Sequence, residues 1–169
     1  MVIRRATEDD LADLVWAACD MVNESPAWEA FDPEAMRRTL GMIFKGGGVA
    51  FVAELPKRSR LAGTVVAFIS TRPFSGEKFV ADLGVYVAPE HRGSGLASQL
   101  VRVLEAWARE EGAVEVQLGI SSQIHAERTG KLYERLGYQQ TGLVFTKHIG
   151  SPDEPPPGPP EVERSANDR

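Results

Sequence analysis

The stretch Val85-Tyr86-Val87-Ala88-Pro89-Glu90-His91-Arg92-Gly93-Ser94-Gly95-Leu96-Ala97-Ser98-Gln99-Leu100-Val101 decides how the chain is read. A β-branched run meets a proline, then a turn with two glycines, then Leu96, Leu100, Val103, Leu104 and Trp107 at helical spacing as far as Gly112. Two glycines in a strand-to-helix turn let the backbone pass close to a ligand or to the protein's own packing. A Walker loop needs Lys-Ser/Thr after its last glycine, and Leu96-Ala97 stands there instead. A dinucleotide fingerprint needs three spaced glycines in a βαβ unit, whereas Gly93 and Gly95 supply two and the preceding strands read as antiparallel. What remains is an anion cradle, in which backbone N–H groups and a helix N-terminus converge on a pyrophosphate with Arg92 at its edge.

Working outward, residues 2–6 predict a strand, and Thr7 with Glu8, Asp9 and Asp10 predicts a capped helix over about 8–23. Asp32-Pro33-Glu34 starts a second helix, which is expected to end at Gly46-Gly47-Gly48. Residues 49–55 and 62–72 read as an antiparallel hairpin, 79–87 as a third member of the sheet, and 113–120 as another strand. Ala126 to Leu136 predicts a helix stopped by Gly137, and 138–149 a closing strand. The expected order is β-α-α-β-β-β-α-β-α-β, an α/β fold with a mixed, mostly antiparallel sheet flanked by helices.

The 169 residues are 43% hydrophobic, enough for one domain with its own core, placed at residues 1–150. Residues 151–169 hold six of the eleven prolines and almost nothing apolar, so they read as a disordered or polyproline-like tail. That tail reads either as a solubilising segment or as a ligand for an aromatic-grooved module. Its five acids against two arginines carry −3 of the net charge of −5, leaving −2 for the rest. A nearly neutral body without a basic block excludes general nucleic-acid or anionic-membrane binding. The single Cys19 excludes an internal disulfide and a multi-cysteine zinc site, and no metal is expected. No segment has the roughly 18 apolar residues of a membrane span. The N-terminus also lacks an apolar signal core, so a cytoplasmic protein is expected.

Val85 to Val87 would end beside the ligand with backbone groups to offer an extended chain. A ligand joining a pyrophosphate to a peptide-like arm suits both halves of the motif, and coenzyme A is such a ligand. Residues 83–101 resemble the acyl-CoA-binding motif of the GNAT N-acetyltransferase superfamily. Its Arg/Gln-x-x-Gly-x-Gly/Ala signature is filled here by Arg92, Gly95 and Ala97. Gly130-Lys131-Leu132-Tyr133-Glu134-Arg135-Leu136-Gly137-Tyr138 resembles that family's later helix, with its tyrosine and its glycine followed by an aromatic. The element order matches over about residues 2–149.

The resemblance implies the GNAT-type acyl-CoA acyltransferase fold and acetyl-CoA as cosubstrate. The reaction it implies is acetyl transfer to a primary amine of a small molecule or protein, by direct attack in a ternary complex. It implies a donor site of Val85, Tyr86, Val87, Arg92, Gly93, Ser94, Gly95, Leu96, Ala97 and Ser98, with a backbone N–H among 85–87 facing the carbonyl oxygen. Tyr133 would protonate the departing thiolate. Asp82 reads either as the general base or as a strand-edge carboxylate bonded to a neighbour, and Gly84 as a possible bulge beside it. His125, near the substrate side, reads either as a group for proton uptake at neutral pH or, the favoured reading, as a helix-start or surface histidine, with Ser121 and Ser122 as caps. Ala126 stands where many relatives carry an Asn, which leaves that contact unassigned. Trp28 and Phe31, with Glu24 and Glu29, read either as a pocket for a cationic amine or as a hydrophobic staple, and Phe74 with Glu77 adds to the acceptor side. The rival readings are a non-catalytic acyl-CoA-binding module and an acyltransferase with another donor or a hydroxyl acceptor. A homodimer is compatible with either.

Overall fold

The computed structural model describes residues 1–27, 30–55 and 60–147. Trp28, Glu29 and the Pro-rich tail therefore lie outside the described residues. The chain divides into two units, Met1–Tyr138 and Gln139–Arg169.

The first unit runs β1 (Val2–Arg5), a 3₁₀ turn (Glu8–Asp10), α1 (Leu11–Glu24), α2 (Pro33–Met42), β2 (Gly48–Glu54), β3 (Gly63–Thr71), β4 (Lys78–Val87), α3 (Leu96–Glu110), β5 (Glu115–Gln117) and α4 (Ala126–Arg135). The strands form one sheet in the order β1-β2-β3-β4-β5. Its first three pairings are antiparallel and the last is parallel. Two parallel neighbours need a crossover, and α3 supplies it.

Helix starts follow their side chains. The Asp32 carboxylate accepts the Glu34 N–H at 2.8 Å, with Pro33 at the first helical position. Asp10 accepts the Thr7 N–H at 2.8 Å and both Arg4 terminal nitrogens at 2.8 Å, tying β1 to the entry of α1. The Arg4 contact holds the buried Asp10 carboxyl below its usual range, and Glu54 accepts a further bond from Arg4 Nη2, which it shares with Asp10. β2 is apolar on both faces because both are covered. Val49, Phe51 and Ala53 meet Leu96, Leu100 and Leu104 of α3. Ala50 and Val52 meet Leu14, Val15 and Leu40 of α1 and α2. Phe31 and Met36 pack on that second cluster, where the residues before and four into a helix form a hydrophobic staple.

Two expectations are corrected. β5 is three residues long rather than spanning 113–120. The closing strand expected over 138–149 is absent from its described part: Gln139–Lys147 carry no regular secondary structure, and Leu143, Val144 and Phe145 are 73%, 93% and 89% exposed. An alternating apolar pattern states only a local preference, and a strand exists where a neighbouring backbone supplies its hydrogen bonds.

Candidate active site

β4 and β5 pair only from Phe79↔Glu115 to Ala81↔Gln117, and then part. At that point β4 bulges: Val66 pairs with Gly84 but Ala67 with Asp82, so Leu83 is the extra residue. The gap continues as a cleft of about 400 Å³, walled by Asp82 to Val87 on one side and by Gly119, Ile120 and α4 on the other. The glycine turn before α3 closes one end. The bulge expected at Gly84 and the helix expected from Ala126 are both present.

Regular pairing with β3 resumes beyond the bulge. The Ala88 N–H donates to Ala62 at 3.0 Å, which turns the backbone of Tyr86 toward β3 and that of Val85 and Val87 toward the gap. The Val87 carbonyl is taken by Arg92 Nε at 3.0 Å. Tyr86 sends its hydroxyl the other way, to Asp20 Oδ2 at 3.2 Å, and burial together with that carboxylate pushes it up to about 12.

In the turn, Gly93 and Gly95 have φ of +80° and +83°, the left-handed region that side chains strain to enter. Gly95 caps α3, so the first N–H groups of that helix have no partner within it and open on the cleft that Ala97 and Ser98 line. Leu96 is buried in the core and Ser94 donates its hydroxyl to the His91 carbonyl at 2.7 Å, so the structure brings neither side chain into the cleft. Arg92 borders the cleft, but its guanidinium is tied at 2.7 Å to Glu24 at the end of α1.

Across the gap, Asp82 Oδ1 accepts the Gly119 N–H at 2.7 Å. Burial outweighs that bond and pushes the carboxyl up to about 6. Tyr133, 8% exposed on α4, is raised well above the usual phenol range by burial and by the charge of Asp82. The end of α4 explains its placement. The Gly137 N–H reaches Glu134 and the Tyr138 N–H reaches Tyr133, each at 3.0 Å, with Gly137 at φ +95°. This is a Schellman stop, and it brings the rings of Tyr133 and Tyr138 to 5.9 Å. The Tyr138 hydroxyl donates to Glu105 of α3 at 3.0 Å, locking the helix end.

His125 is exposed at the start of α4 and borders the cleft, with a left-handed backbone at φ +47°. Ser122 does not cap that helix: its hydroxyl accepts the Ile124 N–H, and its carbonyl accepts the buried Ser25 hydroxyl at 2.7 Å. Phe74 is fully exposed. The sequence reading passed over Arg128, whose Nη2 stands 3.7 Å from where a Cβ on Gly93 would lie. No local pattern marks it, because α4 meets the glycine turn only after the chain has folded. Among the described residues no group of three or more His, Cys, Asp or Glu is placed to hold a metal, and no helix is long and apolar enough to cross a membrane.

Comparison with known proteins supports the architecture. Human N-acetyltransferase 8B is 34% identical over 123 residues, spanning 70% of this chain and 52% of that protein. The chain covers about half the length of the curated relatives it matches. A putative acetyl transferase from Pyrococcus furiosus superposes with a TM-score of 0.67 at 25% identity, covering 88% of this chain and 99% of that one. AAC(6')-Iy, solved with the bisubstrate analogue CoA-S-monomethyl-acetylneamine, gives 0.70 at 19% identity, covering 89% and 98%. The model of the acetyltransferase (GNAT) family matches residues 9–138, from the 3₁₀ turn before α1 to the tyrosine that follows α4. With that match spanning the parted strands, the glycine turn and the Tyr133 helix, the chain belongs to the GNAT acetyltransferase family.

Proposed function

We propose that this domain transfers an acetyl group from acetyl-CoA to a primary amine by direct attack in a ternary complex. The observation that carries the reading is the single cleft into which a helix N-terminus, the free backbone edge of β4, Asp82 and Tyr133 all open. The residues suit the cosubstrate: left-handed glycines free a row of N–H groups for a pyrophosphate, and the β4 edge offers amide partners to a pantetheine arm. When bound, acetyl-CoA supplies an activated thioester carbonyl.

The chain's own groups supply the rest. The amine must lose a proton before it attacks, and Asp82 accepts it, its carboxyl pushed up to about 6 so that it is ionised at neutral pH yet basic enough to act. The Gly119 N–H keeps that carboxylate aimed across the gap. The backbone N–H of Val85 or Val87 donates to the carbonyl oxygen as charge gathers on it. Tyr133 stays protonated over the whole working range because burial raises it, so it holds a proton for the departing thiolate. The reading rests also on family membership and on the N-acetyltransferase names of its relatives.

The test is thermal. Millimolar acetyl-CoA should raise the melting temperature, and Gly95→Glu, which strains the left-handed turn and sets a carboxylate in the anion site, should abolish the rise. An unshifted wild-type protein overturns the proposal.

A further inference from the structure

Resting on that reading, we propose that Arg128, rather than the motif arginine Arg92, is the side chain that binds the pyrophosphate of the donor. Arg92 has the fitting chemistry but is already committed: Nε donates to the Val87 carbonyl at 3.0 Å and Nη2 to Glu24 at 2.7 Å. Both members of that ion pair are largely covered, at 26% and 30% side-chain exposure. Drawing the guanidinium to a ligand would break two charge-assisted bonds and leave Glu24 without its cation. The geometry makes Arg92 a strut between the end of α1 and the end of β4.

Arg128 stands in the opposite condition. It lies in the first turn of α4, exposed, on the helix face that also brings Leu132 and Arg135 to the cleft. Among the described residues it has no hydrogen-bond or ion-pair partner. Its Nη2 is within 3.7 Å of the vacant Cβ position of Gly93, the residue whose left-handed backbone shapes the anion cradle. A guanidinium there faces the N–H groups of α3 from the far wall, so an anion between them is held from both sides. Its fork also matches two phosphate oxygens. Gly93 then has a second function besides its φ, because a side chain at that position would meet the Arg128 head.

The experiment titrates wild type, Arg128→Gln and Arg128→Lys with CoA and with dephospho-CoA, which keeps the pyrophosphate and lacks the 3′-phosphate. The expected result is a loss of about tenfold or more in affinity for both ligands in Arg128→Gln, the size of a lost charge-assisted bond, with Arg128→Lys recovering part of it. Unchanged CoA affinity in Arg128→Gln overturns the assignment and leaves the transferase reading standing. So does a loss confined to CoA, which would place Arg128 on the 3′-phosphate, or an equal loss in both variants, which would deny a role to its charge. A wild-type protein that binds neither ligand overturns the transferase reading and this assignment together.

Discussion

Asp82 carries opposite consequences for activity and stability. Its carboxyl is pushed up to about 6 by burial, so the transfer rate should rise as pH increases through about 6 and then level off, as kcat/KM against pH will show. In the folded state this group holds its proton more tightly than in the unfolded chain. Its contribution is therefore least unfavourable at low pH, and stability falls as pH rises from about 4 to 6. Asn keeps an oxygen for the Gly119 N–H and carries no charge. Asp82→Asn should thus lower the rate by roughly 10²–10⁴ while raising the melting temperature at pH 7, an advantage that disappears below about pH 4. A variant that loses activity without gaining stability would show that burial does not set this carboxyl. At this scale part of the site is legible in the sequence and part is not. The glycines and Tyr133 sit in motifs, and Asp82 stands just before the first of them. Arg92 resembled a ligand because it fills a motif position, but its partner Glu24 is 68 residues away and only the fold shows that the pair is closed.

At the level of elements, ends matter more than middles. The stop of α4 combines Gly137 in a left-handed conformation with a tyrosine pair and the bond from Tyr138 to Glu105. Gly137→Ala should cost about 1 kcal/mol in chemical denaturation, the usual penalty for a side chain in that region. Tyr138→Phe keeps the ring contact and loses only the hydroxyl bond, so it should cost about 1 kcal/mol as well and reduce turnover through Tyr133 placement. At the other end of the chain, Asp10→Ala removes the Thr7 and Arg4 contacts together and should cost about 2 kcal/mol. The Asp10 carboxyl lies below its ordinary value, so this contribution is present at neutral pH and is lost as pH falls into the acid range; wild type and variant should converge there. Helix starts such as Asp32-Pro33 were legible because the capping side chain and its target are local. The length of β5 and the absence of a strand over Gln139–Lys147 were not, since pairing depends on a neighbour that local alternation does not specify.

For the molecule as a whole, strand direction follows from how the connections run. Short links make β2, β3 and β4 successive antiparallel neighbours, α1 and α2 fill the long connection that returns β2 antiparallel to β1, and the crossover through α3 makes β5 parallel. A parallel neighbour that pairs for three residues and then leaves is what opens the cleft, so fold and site are one geometric fact. This is why the order of elements and the glycine turn together were enough to expect the family, whereas neither reveals the acceptor. The decisive measurement is release of free CoA thiol from acetyl-CoA, followed across a panel of primary amines with wild type, Asp82→Asn and Tyr133→Phe. The account predicts amine-dependent release by the wild type, a large loss in Asp82→Asn, and slower thiolate departure in Tyr133→Phe. Binding of acetyl-CoA with no release by any amine would contradict it and leave an acyl-CoA-binding module in its place.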